Sequence, residues 1–171
     1  DINIQIFNWG PCVIRMKITD SFKKLFLTEA EKNKLDYTDK LAGILEKETG
    51  YNEESKNIIL PQLSQCLGVY NQAFEKYVNK PFEKQPEYIL SAMWINYQKP
   101  NDFNPPHDHD GKLSFVTYLQ IPEELKKENR EYKGKSCGPG GIQFLYGNGP
   151  RDCISYMSFF PEENDMFIFP A

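Results

Sequence analysis

The apolar residues of this chain keep a helical period only as far as Val78, and from Tyr88 onward that period gives way to short β-type segments. This change limits the fold more than any other feature, because a stripe recurring every 3.6 residues and an alternation every second residue are buried by different elements. Before it, Leu63, Cys66, Leu67, Tyr70, Phe74, Tyr77 and Val78 recur at three- and four-residue steps and make one apolar stripe. Pro61 suits a first helical turn and Asn79-Lys80-Pro81 an end, so a helix is expected over 61–78. After it, residues 88–98, 113–121, 141–146, 153–159 and 166–169 are rich in β-branched and aromatic side chains and are separated by Pro, Gly, Asn and Asp. Several short strands with turn chemistry between them predict a sandwich or barrel.

The N-terminal part is mixed. Residues 3–9 and 13–18 alternate apolar with polar side chains around the turn signal Gly10-Pro11, which predicts two strands, or a strand and its bent continuation. Thr19 or Asp20 is placed to cap a helix whose apolar positions are Phe22, Leu25, Phe26 and Ala30. Residues 32–56 read as a polar surface segment broken by the apolar run 41–45. Residues 123–135 hold nine Lys, Arg or Glu among thirteen and read as a solvated loop, with a substrate lid over the range 122–135 as the functional alternative. The fold class is therefore α+β, mainly β, in a single domain of 171 residues, with strands and helices over 1–86 and a β-rich core over 87–171.

A net charge of −4, with both signs spread along the chain, gives no nucleic-acid or membrane footprint. No apolar run approaches the roughly 20 residues of a membrane span, and no signal-peptide layout is present, so a cytoplasmic protein is expected. Cys12, Cys66, Cys137 and Cys153 form no C-x-x-C pair and read as reduced thiols.

Chemistry concentrates in Pro105-Pro106-His107-Asp108-His109-Asp110-Gly111, which contains both histidines of the protein. In an extended segment residues i and i+2 share a face, so His107 and His109 converge on one ion while Asp108 faces away. The two prolines hold the approach extended. A site with two histidines and one carboxylate, or its all-histidine relative, leaves open positions on an octahedral iron for a bidentate co-substrate and oxygen. The plainer alternative is a polar turn with its imidazoles in solvent.

The order and spacing of Tyr97 to His107, Thr117-Tyr118-Leu119, Gly140-Gly141-Ile142-Gln143-Phe144 and Phe167-Ile168-Phe169-Pro170 resemble the 2-oxoglutarate and Fe(II)-dependent dioxygenases, in particular their prolyl-4-hydroxylase-like branch. Asn8-Trp9-Gly10-Pro11 and Met93-Trp94-Ile95-Asn96 look further like oxygenases carried by marine cyanophages, which would place the protein in a host cytoplasm. The resemblance covers about residues 91–171. It implies a double-stranded β-helix of jelly-roll or cupin type with supporting N-terminal helices. It also implies Fe(II), 2-oxoglutarate and O2 as reactants, with ascorbate as a possible accessory.

The implied reaction is decarboxylation of 2-oxoglutarate to succinate, coupled to hydroxylation of a C–H bond on a prolyl or other peptidyl side chain, or on a small molecule. By the same resemblance His107 is the first iron ligand, His109 the second, and Tyr97 and Tyr118 contact 2-oxoglutarate. The family has Asp where this chain has His109, so Asp110 or Asp108 is an alternative carboxylate. The third ligand and a basic residue for the co-substrate are expected beyond Ala171. Two further readings stand beside this one. A cupin-type enzyme normally has Glu about four residues after the second histidine, where Leu113 and Ser114 lie here. The other is a metal-binding β-helix protein without catalysis.

Overall fold

The computed structural model describes residues 3–8, 10–33, 35–36, 47–147 and 155–171. In chain order the elements are β1 (Ile4–Asn8), β2 (Cys12–Lys17), α1 (Asp20–Lys32), β3 (Leu35–Asp36), β4 (Glu48–Gly50), α2 (Glu53–Val78), β5 (Trp94–Asn96), β6 (Leu113–Thr117), α3 (Glu123–Glu131), β7 (Ile142–Leu145), β8 (Tyr156–Phe159) and β9 (Asp165–Pro170). They fall into two compact units, one made of Asp1–Thr19 and Gly111–Ala171, the other of Asp20–Asp110.

In the first unit β1, β2, β9 and β6 form a four-stranded sheet in that order, and β7 pairs with β8. Every pairing is antiparallel. The register sets Ile14 opposite Ile168 and Met16 opposite Met166, with Phe115 on the other side of Ile168. Met166, Phe167 and Ile168 are all fully buried, so β9 is covered on both faces. The Phe167 ring lies 5.4 Å from Phe159 and 5.6 Å from Phe144, and Phe144 lies 4.9 Å from Phe169. These rings join the hairpin β7–β8 to the larger sheet, and such aromatic contacts add to what burial alone contributes. At the start of β9, Asp165 accepts a 2.6 Å bond from Arg15 Nη2 and another from the Glu162 N–H, with Lys17 Nζ 3.0 Å away.

Residues 123–131 form a helix and not the expected loop. Glu123 and Glu124 occupy its first turn and Arg130 its last, which complements the helix dipole, and Lys126 pairs with Glu123 at 2.7 Å. No residue of α3 is buried, so the expectation of a solvated charged face is met in helical form.

The second unit holds α1, α2 and the three-stranded sheet β3-β4-β5. In α1, Phe22, Phe26 and Ala30 are buried as the periodicity requires, and the two rings stack at 4.6 Å. The longer helix starts eight residues before Pro61. Asn52 caps it, its side chain accepting from the Ser55 N–H, and Glu53 and Glu54 fill the first turn, while Pro61 lies inside. It ends where expected, with Asn79 at φ 51° and its N–H on the Glu75 and Lys76 carbonyls. Residues 48–51, expected at the surface, are buried instead. A polar network ties the two helices: Glu29 accepts from Ser55 Oγ at 2.9 Å, and Asn33 bonds the Glu29 carbonyl, Ser55 Oγ and the Asn52 N–H. Of the expected strand 88–98, only β5 is regular; it pairs with β4, Glu48 opposite Asn96 and Gly50 opposite Trp94.

Among the described residues helix and antiparallel sheet are mixed, and α2 alone runs 26 residues. Among the described residues a double-stranded β-helix is not displayed. Trp9, the apolar run 41–45 and Cys153 lie outside the described residues. Among those described, no helix is long and apolar enough to cross a membrane.

Candidate metal centre

The histidine loop belongs to the second unit and follows two prolines that hold it out of regular structure. His107 is exposed and His109 half-buried, yet their ring centres are 4.7 Å apart with planes at 69°. An ion about 2.1 Å from an imidazole nitrogen stands roughly 3.2 Å from the ring centre, so two imidazoles sharing one ion at about 90–110° have centres roughly 4.5–5.2 Å apart. The observed separation falls inside that interval. The structure thus brings the predicted pair together.

The tautomer of His107 follows from its partner. Its Nδ1 lies 2.7 Å from the Pro105 carbonyl oxygen. A carbonyl only accepts, so Nδ1 carries a proton, and in the neutral ring Nε2 is the nitrogen with the lone pair. This is the outer contact that metal-bound histidines ordinarily make. On His109 burial acts first and His107 second to depress the imidazole pKa below its ordinary 6.5, against a smaller opposing effect of Asp108. That direction favours the neutral ring, the form a metal requires. Trp94 on β5 packs its ring against His109 with centres 6.0 Å apart and planes at 34°.

Asp108 and Asp110 are exposed. Among the described residues no three His, Cys, Asp or Glu side chains are grouped closely enough to hold a metal. The residues present thus fit a shared ion at two donor positions, and neither aspartate joins the imidazoles as a third. Cys12 and Cys66 are buried and Cys137 is half-buried.

Tyr97 follows β5 and continues its ladder, its N–H donating to the Lys47 carbonyl at 3.1 Å. The pleat sends alternate side chains to opposite faces, so Trp94 and Asn96 share one face of β5 and Tyr97 turns to the other. There the Lys47 ammonium lies 4.5 Å from the Tyr97 ring centre. Tyr118 belongs to the first unit. Its ring meets Phe167 edge-on at 6.3 Å, and its backbone bonds Asp165 and Asn164. Burial, reinforced by Asp165 and Cys137, pushes its phenol above the ordinary range.

Two side chains on one face of the β4–β5 pairing were not indicated as such by the sequence. Trp94 has no local signal linking it to His109, fifteen residues on; the contact arises from the chain's return beside β5. Glu48 lay in a stretch expected at the surface, yet it is 1% exposed, and its pairing with Asn96 puts it on the face of the sheet that carries Trp94. Burial pushes its carboxyl pKa up. No protein-family model, no curated protein and no solved structure matches this chain.

Proposed function

We propose that this chain is a non-haem Fe(II) and 2-oxoglutarate-dependent oxygenase that hydroxylates a C–H bond, with a prolyl or other peptidyl side chain as substrate, and that His107 and His109 are its metal ligands. The observation that carries the reading is the imidazole pair: ring centres 4.7 Å apart, with His107 Nδ1 held by the Pro105 carbonyl. His107 presents Nε2 as a lone-pair donor. Burial and the neighbouring His107 favour the neutral form of His109, and the Trp94 ring lies beside it. Asp108 and Asp110 flank His109 with negative charge that favours a cation's approach. Bound iron would supply the oxidation, one oxygen atom of O2 going to succinate and the other to the product. The resemblance in motif order adds the reaction class; the reading does not rest on Tyr97 or Tyr118. The double-stranded β-helix remains the architecture it implies.

One observation favours a second reading, a metal-binding protein of cupin-like type or without catalysis: His109 stands where the family has a carboxylate. Anaerobic titration with Fe(II) and 2-oxoglutarate separates the two. A charge-transfer band from keto-acid chelation, lost in His107→Ala and in His109→Ala, is expected for the oxygenase. Iron uptake without that band supports the second reading, and unchanged iron affinity in His107→Ala removes the site altogether.

A further inference from the structure

The histidine loop offers two nitrogen donors from one chain and stands at the surface of its unit: Phe103 is 52% exposed, and Asn104, Pro106, His107, Asp108 and Asp110 are exposed with it. Zinc takes four nitrogen, sulfur or oxygen ligands in a closed tetrahedron, and imidazole suits it well. Two ligands per chain are half of that set. A twofold arrangement presents the same patch of both copies to each other, so whatever one chain contributes the other contributes too.

The geometry points to a zinc site shared between two copies of this chain, with His107 and His109 of each supplying the four imidazoles. This inference rests on the reading that the pair ligates metal, and it adds a partner to that site. Three features of the loop support it. The fixed tautomer of His107 leaves one nitrogen available on an exposed ring. The ring separation suits two ligands on one ion. Finally, Asp108 and Asp110 are exposed, so this surface of each copy carries like charge beside the imidazoles. Those carboxylates repel when no cation lies between them, and a divalent ion offsets the repulsion. Association is therefore conditional on metal. A closed four-imidazole site also leaves no open position for a co-substrate, so the zinc dimer is a resting form, distinct from any iron-loaded monomer.

The test uses the full chain after chelator treatment, carrying Cys137→Ser so that the half-buried thiol takes no part. Zinc chloride is titrated while mass is followed by sedimentation velocity and stoichiometry by calorimetry. The expected result is a doubling of mass that completes at half an equivalent of zinc per chain. Chelator should reverse it. His107→Ala and His109→Ala, each checked for an unchanged far-UV spectrum, should abolish the doubling. They should also weaken zinc by more than the roughly 10–100-fold that loss of an outer-shell partner costs. One zinc per chain at unchanged mass overturns the shared site and leaves the metal-binding reading standing. A zinc dimer that persists in both histidine variants places the ion elsewhere and also overturns it. No uptake of zinc, nickel or iron by the unsubstituted loop ends both readings.

Discussion

Single side chains in this protein carry effects that burial and partners make quantitative. Asp165 is 1% exposed, and burial alone would raise its pKa. Its bonds from Arg15, the Glu162 N–H and Lys17 outweigh that and hold it below the ordinary 3.8. A carboxyl with a lower pKa folded than unfolded stabilises the fold fully above its unfolded value, and the contribution fades as pH falls through the folded value. Asp165→Asn should therefore cost about 2–4 kcal/mol at pH 7, because Arg15 is left facing a neutral amide. It should also flatten the loss of stability below about pH 4. Urea melts from pH 3 to 7 decide it: an acid limb as steep as in the parent protein would show that Asp165 is not its source. Gly68 makes the opposite case. It lies within α2, and a methyl group there would meet no described atom within 4 Å. Helical glycine costs roughly 0.5–1 kcal/mol relative to alanine, so Gly68→Ala should stabilise the fold by about that amount, seen as a higher urea midpoint with an unchanged slope. The histidine pair was legible at this scale because i and i+2 need nothing but an extended backbone. Trp94 and Glu48 were not, since strand pairing and chain return place them, and neither leaves a local trace.

At the scale of elements, the ends of α2 teach most. Its apolar stripe and its stop at Asn79 could be read from spacing and from the Asn-Lys-Pro run, both local properties of the chain. Its start could not. Pro61 at a first turn satisfies backbone bonding at no cost, whereas inside a helix it forfeits one hydrogen bond and strains the preceding turn by about 3 kcal/mol. Tertiary fixation of the first two turns outweighs that penalty: Asn33 holds the Asn52 N–H, Ser55 bonds Glu29, and Ile59 is fully buried. Asn52→Ala should accordingly destabilise the protein by about 1 kcal/mol, the usual worth of a side-chain N-cap. Fraying should be confined to the turn before Pro61. Hydrogen exchange reads this directly, and faster exchange at Ser55 and Lys56 with none at Leu67 or Tyr70 is the expected pattern. The charged run 123–131 was misassigned for a related reason. Its charges fall at i, i+3 and i, i+4 spacing, which suits a solvated helix as well as a loop, and apolar periodicity gives no guidance where nothing is buried.

Over the whole chain, sequence distance separates the two units. The second is one continuous stretch, Asp20–Asp110, whereas the first joins the two ends of the chain. The bond from Arg15 to Asp165 spans 150 residues. Strand types and approximate limits of β6, β7 and β9 could be read in order, but no local pattern indicates that β2 pairs with β9, so the sheet's order was invisible beforehand. That pairing also has a kinetic consequence. Closing a long loop costs entropy before any contact repays it, and chains dominated by such contacts fold in milliseconds to seconds, whereas locally bonded helices form far sooner. The continuous unit, with α1 and α2 tied through Glu29, Asn33 and Ser55, has local contacts to form first. Pulse-labelled hydrogen exchange during refolding should therefore find amides of α2 protected before those of β2 and β9, and Phe167→Ala should slow protection in the sheet without delaying the helix. Simultaneous protection of both sets would mean that the ends of the chain meet before either unit has formed, and local contacts would then lose their claim to lead.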